Sequence, residues 1–209
     1  IEQQYNDLHL HHRSGCAHFL EHQMFRLDGQ DVTNQFAQMQ ASTNAFTTYN
    51  KTAYYFQTTA DIEAPLNLLC DFVEELDIDT KSVNKEKGII LSEYDMYQQQ
   101  PEQRLFKETW KSLYVNHPLR YDVLGTPEDI SNMRVEDLST FYHYNYDPSK
   151  LTLVGITGQD IDKIMDIIKE NQTRHPSLLN GEVKRIIHSE PDSCARSEVS
   201  CAMDISTPF

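Results

Sequence analysis

The chain has 209 residues, enough for one sizeable domain with a real hydrophobic core. Its 32 acidic against 18 basic residues give a net charge of −14, which argues against a nucleic-acid partner or attraction to an anionic membrane surface. Eleven Tyr, nine Phe and 39% hydrophobic residues argue against wholesale disorder, and no stretch is apolar for the length a membrane-spanning helix needs.

Taken in order, residues 1–14 form a poorly recognisable lead-in. Within it Leu8-His9-Leu10-His11-His12 is rich in metal-friendly side chains but has no matching carboxylate, and reads as an exposed strand or a disordered segment. Residues 15–27 read as a helix, ended by the turn-forming Asp28-Gly29-Gln30-Asp31. A short helix over 33–40 follows, then a β-hairpin over 45–59, rich in Phe, Tyr and Thr, that turns near Tyr49-Asn50-Lys51. Residues 61–76 place Ile62, Leu66, Leu69, Val73 and Leu76 at helical spacing, with Asp61 as the cap. A long helix is predicted over 82–99, and Pro101 opens another that runs to about residue 114. Thr126 caps a further helix start, and 134–144 is amphipathic. Residues 151–156 read as a buried strand, 160–171 as a helix and 183–187 as a strand. Hairpin signals without the glycine turn of a nucleotide fold predict an α+β domain over 15–209, an antiparallel-rich sheet with helices packed on one face.

The four cysteines (Cys16, Cys70, Cys194, Cys201) lie far apart without a C-x-x-C pair, a pattern expected of reduced thiols in a cytoplasmic protein. No signal sequence is visible. Cys16 is close to the histidines described next, but a small buried packing role suits it better than ligation.

The chemistry gathers in His18-Phe19-Leu20-Glu21-His22. Residues four apart share a helical face, so His18 and His22 can hold one metal ion together, with Glu21 beside them. The H-x-x-E-H order is the inverse of the commoner H-E-x-x-H and is a zinc-peptidase signature, although a surface helix with two histidines is the ordinary alternative. A hydrolytic zinc site needs a third protein ligand and an open position for water. Lys85-Glu86-Lys87-Gly88-Ile89-Ile90-Leu91-Ser92-Glu93 offers two carboxylates seven residues apart, about two turns, hence on one helical face. By spacing alone either Glu86 or Glu93 can be the ligand, or both can belong to a solvated acidic face.

The chain resembles the N-terminal half of M16 metallopeptidases. The residues that carry the resemblance are Gly15-Cys16-Ala17-His18-Phe19-Leu20-Glu21-His22-Gln23-Met24-Phe25, Ala41-Ser42-Thr43-Asn44-Ala45-Phe46-Thr47, Glu86 to Glu93, His117-Pro118 and Leu124-Gly125-Thr126-Pro127-Glu128-Asp129-Ile130. Ala17 to His22, with Asn171-Gln172 and Glu190-Pro191 downstream, is most similar to the YmfH-like branch of Gram-positive bacteria. The resemblance implies one Zn²⁺ per chain held by His18, His22 and Glu93, with Glu86 supporting a ligand histidine and Glu21 as general base. It further implies that Asn44, Ala45 and Phe46 edge the cleft and hold the substrate backbone.

On that basis the expected function is zinc-dependent endopeptidase action on peptides or unfolded segments. The alternatives are a non-catalytic M16-like subunit that binds a peptide or partner, and a purely structural zinc domain. M16 enzymes usually pair two homologous halves around a chamber, the second supplying an arginine and a tyrosine near the substrate. The chain ends at Pro208-Phe209, where a first half would be finishing. The resemblance therefore implies a partner half and weak or no cleavage by the 209 residues alone.

Overall fold

The computed structural model describes residues 1–203; the last six residues of the expected 15–209 domain lie outside the described residues. In chain order the elements are β1 (Glu2–Tyr5), β2 (Leu8–His11), α1 (Cys16–Met24), β3 (Arg26–Leu27), β4 (Gln30–Asp31), α2 (Val32–Gln38), β5 (Ala41–Thr47), β6 (Thr52–Thr58), α3 (Glu63–Glu74), α4 (Thr80–Gln98), α5 (Pro101–Leu113), α6 (Pro127–Ser131), α7 (Val135–Asn145), α8 (Ile161–Gln172) and β7 (Val183–Arg185). The α+β class holds. All strand pairs are antiparallel, distributed over a three-stranded sheet in the order β2-β1-β7 and two hairpins, β3-β4 and β5-β6.

α1 is the centre of the molecule. Cys16, Phe19, Leu20 and Met24 are at most 1% exposed, and they join Phe36, Phe72, Val83, Ile90, Met133 and Leu138 in one core. Burying a side chain of that size stabilises by roughly 1.5–3 kcal/mol, so the α1 positions fix where its remaining, polar side points. Cys16 is a packing residue: burial pushes its thiol up to about 12, and its Sγ donates to the Asp137 carbonyl at 3.7 Å.

The start of α1 is set by two glycines. Gly15 caps the helix with φ 77° and sits against Gly125, φ 89°; a Cβ on either would collide with the other segment's backbone. Only glycine takes such angles freely and allows so close an approach. Ser14 ties the two segments further, its hydroxyl donating to Asp129 at 2.5 Å and accepting from the Thr126 amide at 3.1 Å.

α4 is fixed at its own start. Asp79 and Ser82 form a reciprocal capping box, and the Ser82 hydroxyl reaches the buried Gln23 of α1 at 2.8 Å. Thr126 caps α6 as its sequence predicts, and Asp160 caps α8. Asp61 does not cap α3: that helix begins after Ile62 with no side-chain cap.

The lead-in takes one of its two expected forms, a largely exposed strand, and one later segment differs from expectation. The lead-in is a hairpin: β1 pairs with β2 and β7, Leu10 is buried, and His12 bonds Gln3 at 2.8 Å while Gln3 donates to Asn145 of α7 at 2.7 Å. Structure also brings Glu2 to His9, His11 and His188, at 3.6, 3.6 and 2.9 Å, supplying the carboxylate that the local sequence lacked. These three histidines are largely exposed, and their ligand atoms do not converge.

The buried strand expected over 151–156 is not formed. Leu153, Val154 and Ile156 are 46%, 84% and 101% exposed. An apolar run becomes a strand only when it pairs with another, and among the described residues no strand pairs with this run. Residues 151–154 instead line a cavity of about 1010 Å³ behind the β5-β6 hairpin.

Downstream residues staple the periphery. Asn171 donates to Asn67 and Asp71, and Gln172 to Glu74, joining α8 to α3; Glu190 accepts from the successive amides of Val115, Asn116 and His117.

Replacing Gly15 by Ala is expected to destabilise the protein by about 3 kcal/mol or more, because strain and collision add. A thermal melt reads this directly. An unchanged midpoint would show that the glycine contact is not a constraint.

Candidate metal centre

α1 presents His18, Glu21 and His22 on the side opposite its buried apolar residues, and α4 lies across from them. Glu86 and Glu93, two turns apart, face that side. Glu93 Oε2 lies 3.6 Å from His18 Nε2 and 3.5 Å from His22 Nε2. Two donors bound tetrahedrally to one zinc ion, each at about 2.1 Å, lie ~3.4 Å apart. His18, His22 and Glu93 are the one group of three among the described residues whose ligand atoms gather this closely.

The donor set is also short of partners. Glu93 Oε2 is buried with no hydrogen bond, and so is His18 Nδ1. A buried carboxylate oxygen left unpaired costs about 1–3 kcal/mol or more, a cost that a cation removes. The residues therefore fit a divalent metal.

Glu86 holds a different atom. Its Oε1 meets His22 Nδ1 at 2.8 Å, which leaves Nε2 facing Glu93. A carboxylate on the far nitrogen fixes the ring and raises its basicity as a ligand. Burial pulls the His22 pKa down, but the Glu86 hydrogen bond and the charges of Glu86, Glu93 and Glu21 outweigh it and leave the pKa raised. His18 has no such partner: burial, helped by His22, lowers it to about 4.

Glu21 is buried, and burial raises its pKa despite a hydrogen bond from Thr47. The Thr47 hydroxyl donates to Glu21 Oε2. Tyr97, one turn beyond Glu93, is raised by burial and by the Glu93 charge. Nothing in the linear pattern singled out Thr47, although it closes the Asn44 to Thr47 motif; Tyr97 carried only the i,i+4 signal.

The cleft over these groups measures about 370 Å³ and is walled by Ala45, Phe46 and Thr47 on one side and by Tyr97, Phe106 and Lys107 on another. Ala45 and Phe46 thus reach the site. Asn44 is exposed and is not part of the wall; its side-chain oxygen accepts from the Ala45 amide at 2.8 Å. No helix among the described residues is long and apolar enough to cross a membrane.

A proton NMR titration of the metal-free protein should find His18 neutral down to about pH 4 and His22 still protonated above its ordinary value of 6.5. Identical titration of the two rings would contradict the asymmetry that Glu86 creates.

The zinc protease YmfH of Bacillus subtilis (strain 168) is 37% identical over 95% of this chain and 46% of its own length. The mitochondrial-processing peptidase subunit beta of Dictyostelium discoideum is 26% identical over 82% of this chain and 38% of its own. Among solved structures, an M16-like peptidase from Alicyclobacillus acidocaldarius superimposes with a TM-score of 0.89 at 36% identity, covering 94% of this chain and 46% of that one. The chain thus spans about half the length of these relatives. The family model "Insulinase (Peptidase family M16)" matches residues 11–127, more than half of the sequence, and the chain belongs to peptidase family M16.

Proposed function

We propose that this chain is the zinc-binding catalytic half of an endopeptidase acting on peptides or unfolded segments. The observation that carries the reading is the buried, unpartnered Glu93 Oε2 set between two imidazole nitrogens. His18, His22 and Glu93 would hold one Zn²⁺, which when bound supplies a Lewis acid and brings the pKa of a water molecule to about 7. That relatives carry the name zinc protease supports the choice of metal.

Glu21 takes the proton of the attacking water and passes it to the departing amine. Its position supports this: it sits beside His22, in the same cleft as the ligand set, and is not among the three converging atoms. Burial favours its protonated form, so the group can carry a proton between the two steps. Glu86 keeps His22 turned for ligation.

The substrate lies along β5. That strand pairs with β6 through Ala45↔Tyr54 and Phe46↔Ala53 and has no second strand on its other edge among the described residues. An extended peptide can add to such an edge by main-chain hydrogen bonds, with Ala45 and Phe46 at the cleft and Asn44 one residue before it. A second M16-like half, on the same or another polypeptide, closes the chamber. The half-length coverage of the relatives supports this.

Glu21→Gln should retain zinc while peptide cleavage by the assembled two-half enzyme falls about 10²- to 10⁴-fold. His22→Ala should lose both zinc and cleavage. Metal analysis beside a fluorogenic peptide assay separates the cases, and sustained turnover by Glu21→Gln would overturn the assignment.

A further inference from the structure

We propose that Thr47 is the positioning residue for Glu21, itself held by the hydroxyl of its cross-strand partner Thr52. The inference rests on the reading of Glu21 as proton acceptor.

The Thr47 hydroxyl donates to Glu21 Oε2 and lies 3.1 Å from the Thr52 hydroxyl, its cross-strand partner on β6. Each hydroxyl has one proton, so the direction of the two bonds is determined. An ionised Glu21 accepts only; Thr47 therefore gives its proton to Glu21 and receives one from Thr52. Hydrogen bonds in series polarise one another, which strengthens the last donor.

This arrangement selects one of the two carboxylate oxygens. Oε2 is engaged by Thr47, so Oε1 is left to take a proton from water. It also holds the side chain still: the donor comes from a seven-residue strand paired with β6 along its whole length. A misplacement of about 1 Å at such a group can lower turnover on the order of 100-fold.

The test compares Thr47→Val, which keeps the shape and removes the hydroxyl, with Thr47→Ser, which restores it. In the assembled enzyme Thr47→Val should lower kcat roughly 10- to 100-fold with KM within about twofold, zinc content and melting temperature being unchanged, and Thr47→Ser should recover most of kcat. An unchanged kcat in Thr47→Val, a loss that follows zinc or folding, or equal impairment in Thr47→Ser would each overturn the proposal. A crystal structure of the metal-free Thr47→Val protein gives a readout without activity. The Glu21 carboxylate should leave its wild-type position or spread over several, and an unmoved carboxylate would overturn the proposal. If the wild-type assembly cleaves nothing, the peptidase reading fails, while the two crystal structures still decide the role of Thr47.

Discussion

A carboxylate oxygen buried between two imidazoles, with no proton donor of its own, is the constraint around which this domain is organised. Two helices must be held face to face for it to exist. α1 meets this by burying Cys16, Phe19, Leu20 and Met24 on one side while exposing His18, Glu21 and His22 to α4. α4 contributes Val83 and Ile90 to the same core, and its capping serine grips Gln23 of α1. Apolar burial thus supplies the free energy that tolerates a polar, under-satisfied centre a few ångströms away.

The remaining elements act on the orientation of single atoms. Glu86 chooses which nitrogen of His22 faces Glu93, and Thr47 engages one oxygen of Glu21. The Gly15 and Gly125 contact sets where α1 begins, and so the rotation of every residue along it. The hairpin does two jobs: the end of β5 supplies Thr47, and its open edge supplies Ala45 and Phe46 to the cleft wall. The larger cavity behind the hairpin contains none of His18, His22 or Glu93 and belongs to the unfilled flank beside residues 151–154.

Much of this is readable from residue spacing, because helices obey a fixed period. The i,i+4 separation of His18 and His22 and the seven-residue separation of Glu86 and Glu93 suffice to place each pair on one face. The choice between the two glutamates is different: the spacing treats them alike, and only the approach of α4 puts Glu93 between the Nε2 atoms and Glu86 on Nδ1. Thr47 is invisible for the same reason, since its contact with Glu21 spans 26 positions and depends on the hairpin register. The readings left open or overturned concern β-structure. The lead-in leaves strand and disorder open, and it pairs because β2 folds back on β1 and β7 arrives from far along the chain. Residues 151–156 are apolar yet unpaired, because strand formation is decided by neighbours rather than by composition. Asn171 and Glu190, conspicuous in the sequence, turn out to fasten helices and loops well away from the metal ligands.

The central claim is that His18, His22 and Glu93 enclose one divalent cation. Anomalous diffraction at the zinc edge from zinc-soaked crystals tests it most directly. The account predicts a single strong peak within about 2.0–2.2 Å of His18 Nε2, His22 Nε2 and a Glu93 oxygen. Zinc located elsewhere, with that triad left without a peak, would contradict it.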